Sequence, residues 1–256
     1  MSFALHSAVV TDPGLIRSNN EDSAFAGAQL IVVADGIGGL PAGELASEIV
    51  IRGLRDLDAT LADGDPERML RKAVTAANDE IQMVADEDPD RYGMGTTCTA
   101  MLLIDDQLYL AHVGDSRGYL LHDNAFTQVT VDDTYVQMLV DAGEIDRVEA
   151  RHHPQRSLVM QALQGGSYEL HTQVWSPTAG DRLLICSDGL SDVITDETIA
   201  AVLGMHPDVE ECAQTLVKLT LAAGAPDNVT VIVADVVDAC DAVTLSPVAE
   251  AGNRRE

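Results

Sequence analysis

Acids recur where apolar runs end in this chain. "LIVVADG" closes on Asp35 and Gly36, "LYLAHVGD" on Asp115, and "RLLICSDG" on Asp188 and Gly189. "APDN" puts Asp227 just ahead of "VTVIVADVV", and "GLIRSNNEDS" sets Arg17, Glu21 and Asp22 before another apolar stretch. Taken singly, each has an ordinary explanation: Asp-Gly is a hairpin-turn dipeptide, Gly-Asp-Ser and Pro-Asp-Asn are turn sequences, and Glu21-Asp22 is a solvated pair. Turn formation does not explain why an acid ends one β-like run after another. Carboxylates gathered from strand ends repel one another, so either some hold protons or cations sit among them. Oxygen-only donors, with no Cys or His needed, suit hard ions such as Mg²⁺ and Mn²⁺. On that reading Asp35 and the Gly36 carbonyl hold a metal, and the glycines of "DGIGG" clear space for it.

The elements that must position these groups follow from periodicity. Helical stripes run from Gly43 to Leu57, from Pro66 to Val84 and from Val209 to Thr220, the second with Asp65-Pro66 as its start. Between them lie the β-like runs "QLIVVA", "TTCTAMLLI", "QLYLAHV", "RGYLL", "ELHTQVW", "DRLLICS" and "NVTVIVADVV", with Asp105-Asp106 as a short hairpin turn. The order does not alternate as a doubly wound sheet requires and predicts a layered α+β domain. Residues 131–168 are polar and partly helical and interrupt the strands, as a flap or lid does. Residues 1–240 are expected to form one domain, and the tail 241–256 to fray.

Composition excludes several classes. With 42 acids against 15 bases, a formal net charge of −27, the surface repels nucleic-acid backbones and anionic membranes. No run reaches the ~18 to 20 apolar residues needed to cross a bilayer. The N-terminus lacks a basic n-region, which predicts a cytoplasmic protein. Cys98, Cys186, Cys212 and Cys240 form no C-x-x-C pair and read as small buried thiols. His112, in a β-like run, reads as a packed residue, and His152-His153 as part of a loop.

In this order and spacing, "RSNNED", "DGIGG", "MGTT", "GDSR", "SDGL" and "DN" resemble the metal-dependent Ser/Thr protein phosphatases of type 2C, in their bacterial branch. The likeness runs from about Thr11 to Val237. It implies a central sandwich of two antiparallel sheets flanked by α-helices on both sides, with a metal site at one edge. It further implies that Asp35 bridges two Mn²⁺ or Mg²⁺ ions, with the Gly36 carbonyl on one of them. Asp188 and Asp227 are then ligands of the second, and Glu21 and Asp22 bind that ion directly or through water. Arg17 grips the substrate phosphate, and Asp115 with Asp188 makes a third, weaker metal site. Gly95, Thr96 and Thr97 start a strand and carry no catalytic role. Where many eukaryotic members have a histidine that protonates the leaving group, this chain has Ile37, which leaves the general acid open, with water on a metal as one candidate. The family often has Asp-His where this chain has Asp132-Asp133, a departure expected to affect substrate handling. The implied partners are phosphorylated proteins and a cognate Ser/Thr protein kinase, for a monomer. A non-catalytic module of the same fold is the competing class; loss of a metal acid marks that case, and none is lost here. A small-molecule phosphatase is a third reading, which the openness of the flap decides.

Overall fold

The computed structural model describes residues 2–37, 42–59, 64–242 and 249–252. Two antiparallel sheets lie face to face. One has the order β1 (Phe3–Asp12), β10 (Val229–Asp238), β9 (Arg182–Cys186), β6 (Arg117–His122), β7 (Ala125–Gln128). The other has the order β11 (Ala249–Ala251), β2 (Asp22–Ala26), β3 (Leu30–Asp35), β4 (Cys98–Ile104), β5 (Gln107–Val113), β8 (His171–Trp175). Helices α1 (Gly43–Leu54) and α2 (Pro66–Glu87) pack on the outer face of the second sheet. Helices α6 (Asp196–Met205) and α7 (Val209–Ala222) pack on the outer face of the first. The expected α-β-β-α sandwich is thus present.

Strand alternation explains why this stack reads as unbroken apolar runs. In β3, Ile31 and Val33 point between the sheets, toward Ile185 and Ile232, while Leu30, Val32 and Ala34 point out to α1 and α2. In β9, Leu183 and Ile185 face inward and Leu184 and Cys186 face α6 and α7. Both faces of each strand are covered, so neither phase of the pleat is polar. Helix α2 begins as its sequence dictates: Pro66 takes the first position and the Asp65 carboxylate accepts from the Glu67 amide at 3.1 Å. Its buried stripe is Leu70, Val74, Ala77, Ile81 and Ala85. The Asp105-Asp106 hairpin is as expected, with φ of 50° and 59°, the left-handed pair a two-residue turn needs.

Several elements were not legible in the pattern. Strand β1 has an almost uniformly half-buried face and no clean alternation, β2 is five residues behind a polar loop, and α6 shows only a weak apolar stripe. The insertion at 131–168 contains α3 (Tyr135–Asp141) and α4 (Arg147–His152), the latter with a reciprocal cap between Asp146 and Glu149. A single turn, α5 (Asp188–Ser191), follows β9, and α8 (Ala239–Ala242) follows β10. Most of the tail lies outside the described residues, as do Gly38 and Gly39 of "DGIGG". The described part of the tail pairs as β11 with β2. Cys98, Cys186 and Cys212 are free and buried, but Cys240 is exposed, contrary to expectation.

Candidate metal centre

The acids meet at one end of the sandwich. Asp22 opens β2, Asp35 closes β3, and the two are direct partners in the antiparallel register. Such partners share a face with Cβ atoms about 4.5–5.5 Å apart. Asp188 begins α5 just past the end of β9, and Asp227 lies just before β10. Asp115 sits where the chain crosses from β5 in one sheet to β6 in the other.

Neutral polar groups fix this arrangement. The Ser187 hydroxyl donates to Asp22 Oδ2 at 2.8 Å and accepts from the Thr230 amide at 2.9 Å, tying the two sheets together. Asn228 Oδ1 accepts from the Glu21 amide at 2.8 Å, and its Nδ2 donates to the carbonyls of Pro13 and Asn19. Gly189 admits no side chain, because a Cβ there would lie 1.8 Å from the Asn228 carbonyl oxygen; this close approach draws Asp188 toward Asp227. The Thr97 hydroxyl accepts from the Asp35 amide at 2.9 Å, and the Thr97 amide and Thr96 hydroxyl both donate to the Asp35 carbonyl at 2.8 Å. Arg17 donates from Nη2 to Asp227 Oδ2 at 2.7 Å.

The electrostatics are those of crowded like charges. Burial, then Asp22, Asp188, Asp115 and Asp227, hold the Asp35 carboxyl well above the usual carboxylate range. Asp188 is likewise raised well above it by burial and by Asp115, Asp192, Asp227 and Asp22. Burial pushes Asp22 up to about 6 against opposing hydrogen bonds, one of them shared with Asp35. Asp115 is pushed up to about 7 by burial and by Asp132 and Asp192. Glu21 is raised by burial, and the charges acting on it are those of Glu44, Arg17 and Asp227, which places it at the rim.

These groups fit a pair of hard cations. The donors are all oxygens, and Asp22 Oδ1 is a buried carboxylate oxygen with no hydrogen-bond donor. Among the described residues, no group of three or more acidic, His or Cys side chains is arranged as a ready metal site, so the fit rests on the donor chemistry and on that orphaned oxygen. Gly36 has a reason of its own to lack a side chain. A Cβ there would lie 2.6 Å from the Gly43 carbonyl and 2.7 Å from the Glu21 carbonyl, so the space is taken by backbone.

Sequence reasoning missed Asp192, which faces Asp115 and Asp188 one helical turn beyond the latter. The i, i+4 spacing in "SDGLSD" was the available signal. Asn228 and Ser187 carried no signal, because amides and hydroxyls beside acids read as turn residues. Asp115, Asp188 and Asp192 line a cavity of about 130 Å³ together with Arg147, Arg151 and Arg156 of the insertion, and Arg156 pairs with Asp192 at 3.6 Å. His112 is fully buried between the Thr99 hydroxyl and the Val131 carbonyl.

Known proteins share this sequence pattern and fold. The sequence pattern of protein phosphatase 2C matches residues 17–224. The serine/threonine protein phosphatase PstP of Mycobacterium tuberculosis is 52% identical over 238 residues, 93% of this chain but 46% of that protein, so the chain spans about half the length of that relative. The serine/threonine phosphatase stp of Listeria monocytogenes is 35% identical over 241 residues, 90% of this chain and 96% of that protein. The crystal structure of the catalytic domain of PstP in complex with two manganese ions superposes with a TM-score of 0.87 at 50% identity, over 93% of this chain and all of that one. The chain belongs to the protein phosphatase 2C family.

Proposed function

We propose that this chain hydrolyses phosphoserine and phosphothreonine in proteins with two Mn²⁺ or Mg²⁺ ions, reversing a Ser/Thr protein kinase. The observation that carries the proposal is the convergence of Asp22, Asp35, Asp115, Asp188 and Asp227 on one end of the sandwich beside Arg17. The two manganese ions in the structure of the mycobacterial relative support it. In this reading Asp35 would serve both ions and the Gly36 carbonyl one of them. Asp188 and Asp227 would hold the second, aided by Asp22 and, at the rim, Glu21. Asp115 and Asp188, with Asp192, would hold a third and weaker ion. When bound, a cation pair supplies Lewis acidity and lowers the pKa of the water it shares, the kind of electrostatic help a barrier as high as that of phosphate-monoester hydrolysis demands.

The side chains do the rest. Arg17 stays charged, is about one-third exposed, and turns a planar fork toward solvent beside Asp227. Its role is to seat the phosphoryl oxygens and orient phosphorus toward the acids. Its ion pair with Asp227 holds the guanidinium in place before substrate arrives. The buried free thiols of Cys98, Cys186 and Cys212 suit a reducing compartment, which supports a cytoplasmic site of action, and we take the working unit to be a monomer. None of the described helices is long and apolar enough to cross a membrane.

The test is direct. Purified protein with a phosphothreonine peptide or p-nitrophenyl phosphate should turn over when Mn²⁺ is added and stop when EDTA removes it. Metal-independent turnover, or none at millimolar Mn²⁺, would overturn the proposal. Arg17→Ala should raise KM for the phosphopeptide about tenfold or more, the loss of a charge-assisted contact of roughly 1.5–3 kcal/mol. An unchanged KM moves the phosphate site elsewhere.

A further inference from the structure

The two acids at the start of the insertion differ in what they hold. Asp132 is engaged by Arg117, whose Nε and Nη2 reach it at 2.6–3.0 Å, and by Gln128. Asp133 is bonded differently. Its Oδ2 accepts from the Gly114 amide at 2.9 Å and its Oδ1 from His171 Nε2 at 2.9 Å. Its own amide donates to the Gly114 carbonyl at 2.8 Å, and its carbonyl accepts from the Met160 amide at 2.7 Å. Its side chain is only 9% exposed.

One residue therefore joins three separate pieces. Gly114 precedes Asp115 and has φ of 107°, so the turn that aims Asp115 has a conformation only glycine takes easily. Asp133 clasps that turn with two bonds, one to its amide and one to its carbonyl. Through Met160 it also joins the outgoing end of the insertion to the incoming end, where Thr134 and Val159 form a bridge. His112 fixes the same incoming end from the other side, through Val131. The far end of the turn is held separately, at Ser116, whose hydroxyl bonds that of Thr97 and whose carbonyl accepts from the Thr99 hydroxyl.

We infer that Asp133 is a positioning residue that sets the aim of the Asp115 carboxylate and couples it to the flap, by accepting hydrogen bonds and not by its charge. The inference deepens the phosphatase reading and rests on it for its kinetic consequences. Supporting residues of this kind typically change activity or metal affinity 10–100-fold when removed.

The test uses the full chain with saturating Mn²⁺ and a phosphothreonine peptide. Asp133→Ala should lower kcat about tenfold, but less than twofold when introduced on top of Asp115→Ala, because both changes disable the same carboxylate. Asp133→Asn should recover most of the wild-type rate, since its oxygen still accepts from Gly114 and its amide can meet the other tautomer of His171. Independent losses that multiply in the double variant would overturn the inference. So would an Asn variant as impaired as the Ala variant, which would make the negative charge the active property. Hydrogen exchange gives a readout free of turnover. In Asp133→Ala the amides of 113–116 and 158–161 should exchange faster while those within β4 keep their protection; unchanged exchange at Gly114 removes the clasp. A wild-type chain without Mn²⁺-dependent turnover would sink the phosphatase reading, and the exchange result would still judge the clasp.

Discussion

Asp35→Asn is expected to lower kcat on the order of 10³-fold while the metal-free protein becomes more stable, not less. The two halves of this result come from one cause. Asp35 is surrounded by Asp22, Asp188, Asp115 and Asp227, and with burial these hold its carboxyl well above the usual range. An amide of the same shape removes that repulsion, so the metal-free melting temperature rises. The same amide offers one oxygen in place of two and no charge, so it cannot bridge a pair of cations, and electrostatic stabilisation of the reaction is lost. The backbone is unaffected, because the bonds from Thr96 and Thr97 go to the main chain of residue 35. Kinetics with Mn²⁺ and calorimetry in EDTA check the two halves together. Near-normal turnover would remove Asp35 from the bridging role, and a lower melting temperature would mean that the carboxylate is stabilised by something other than metal.

A second large effect is a pH dependence that reverses when metal binds. Burial raises Asp22 to about 6 and Asp115 to about 7, from 3.8 for an ordinary aspartate. The folded metal-free chain therefore binds these protons more tightly than the unfolded chain. Their contribution to stability is full below about pH 4 and is lost as pH rises through about 6 and then 7. The Asp22 shift alone corresponds to roughly 3 kcal/mol. Without metal, the melting temperature should fall between pH 5 and pH 8. With saturating Mn²⁺ the fall should vanish, because the cations then neutralise what the protons did. Conversely, apparent Mn²⁺ affinity should drop as pH is lowered, by up to about tenfold per pH unit for each proton displaced. Asp22→Asn separates this from the general repulsion of a chain at −27, since it should flatten the metal-free profile in the window around pH 6. A metal-free melting temperature that climbs from pH 5 to 8, or an Mn²⁺ affinity indifferent to pH, contradicts a proton-for-metal exchange.

Much of this was written in the linear sequence because each signal is local. The apolar runs that became β3, β4, β5, β9 and β10 are buried on both faces and announce themselves as runs. The stripe of α2 and its Asp65-Pro66 start need only one turn of helix to be recognised. Acids at the ends of those runs were visible for the same reason, and the prior family pattern gave them an order. Strands β1 and β2 and the helix α6 were not visible, since their burial depends on which neighbours cover them.

The sequence by itself determined which residue types are available: oxygen donors without thiolate or imidazole partners, an arginine four residues ahead of the acidic pair, and a polar insertion. Only the tertiary structure decided which of them meet. Pairing β2 with β3 put Asp22 opposite Asp35, the Ser187 bond joined that pair to the other sheet, and the contact of Gly189 with Asn228 drew Asp188 toward Asp227. It also separated Asp132 from Asp133, adjacent in the chain but committed to Arg117 in one case and to the Gly114 turn in the other. Those contacts join residues up to 165 positions apart, beyond the reach of any local pattern, and the longest of them exist only because two sheets pack face to face.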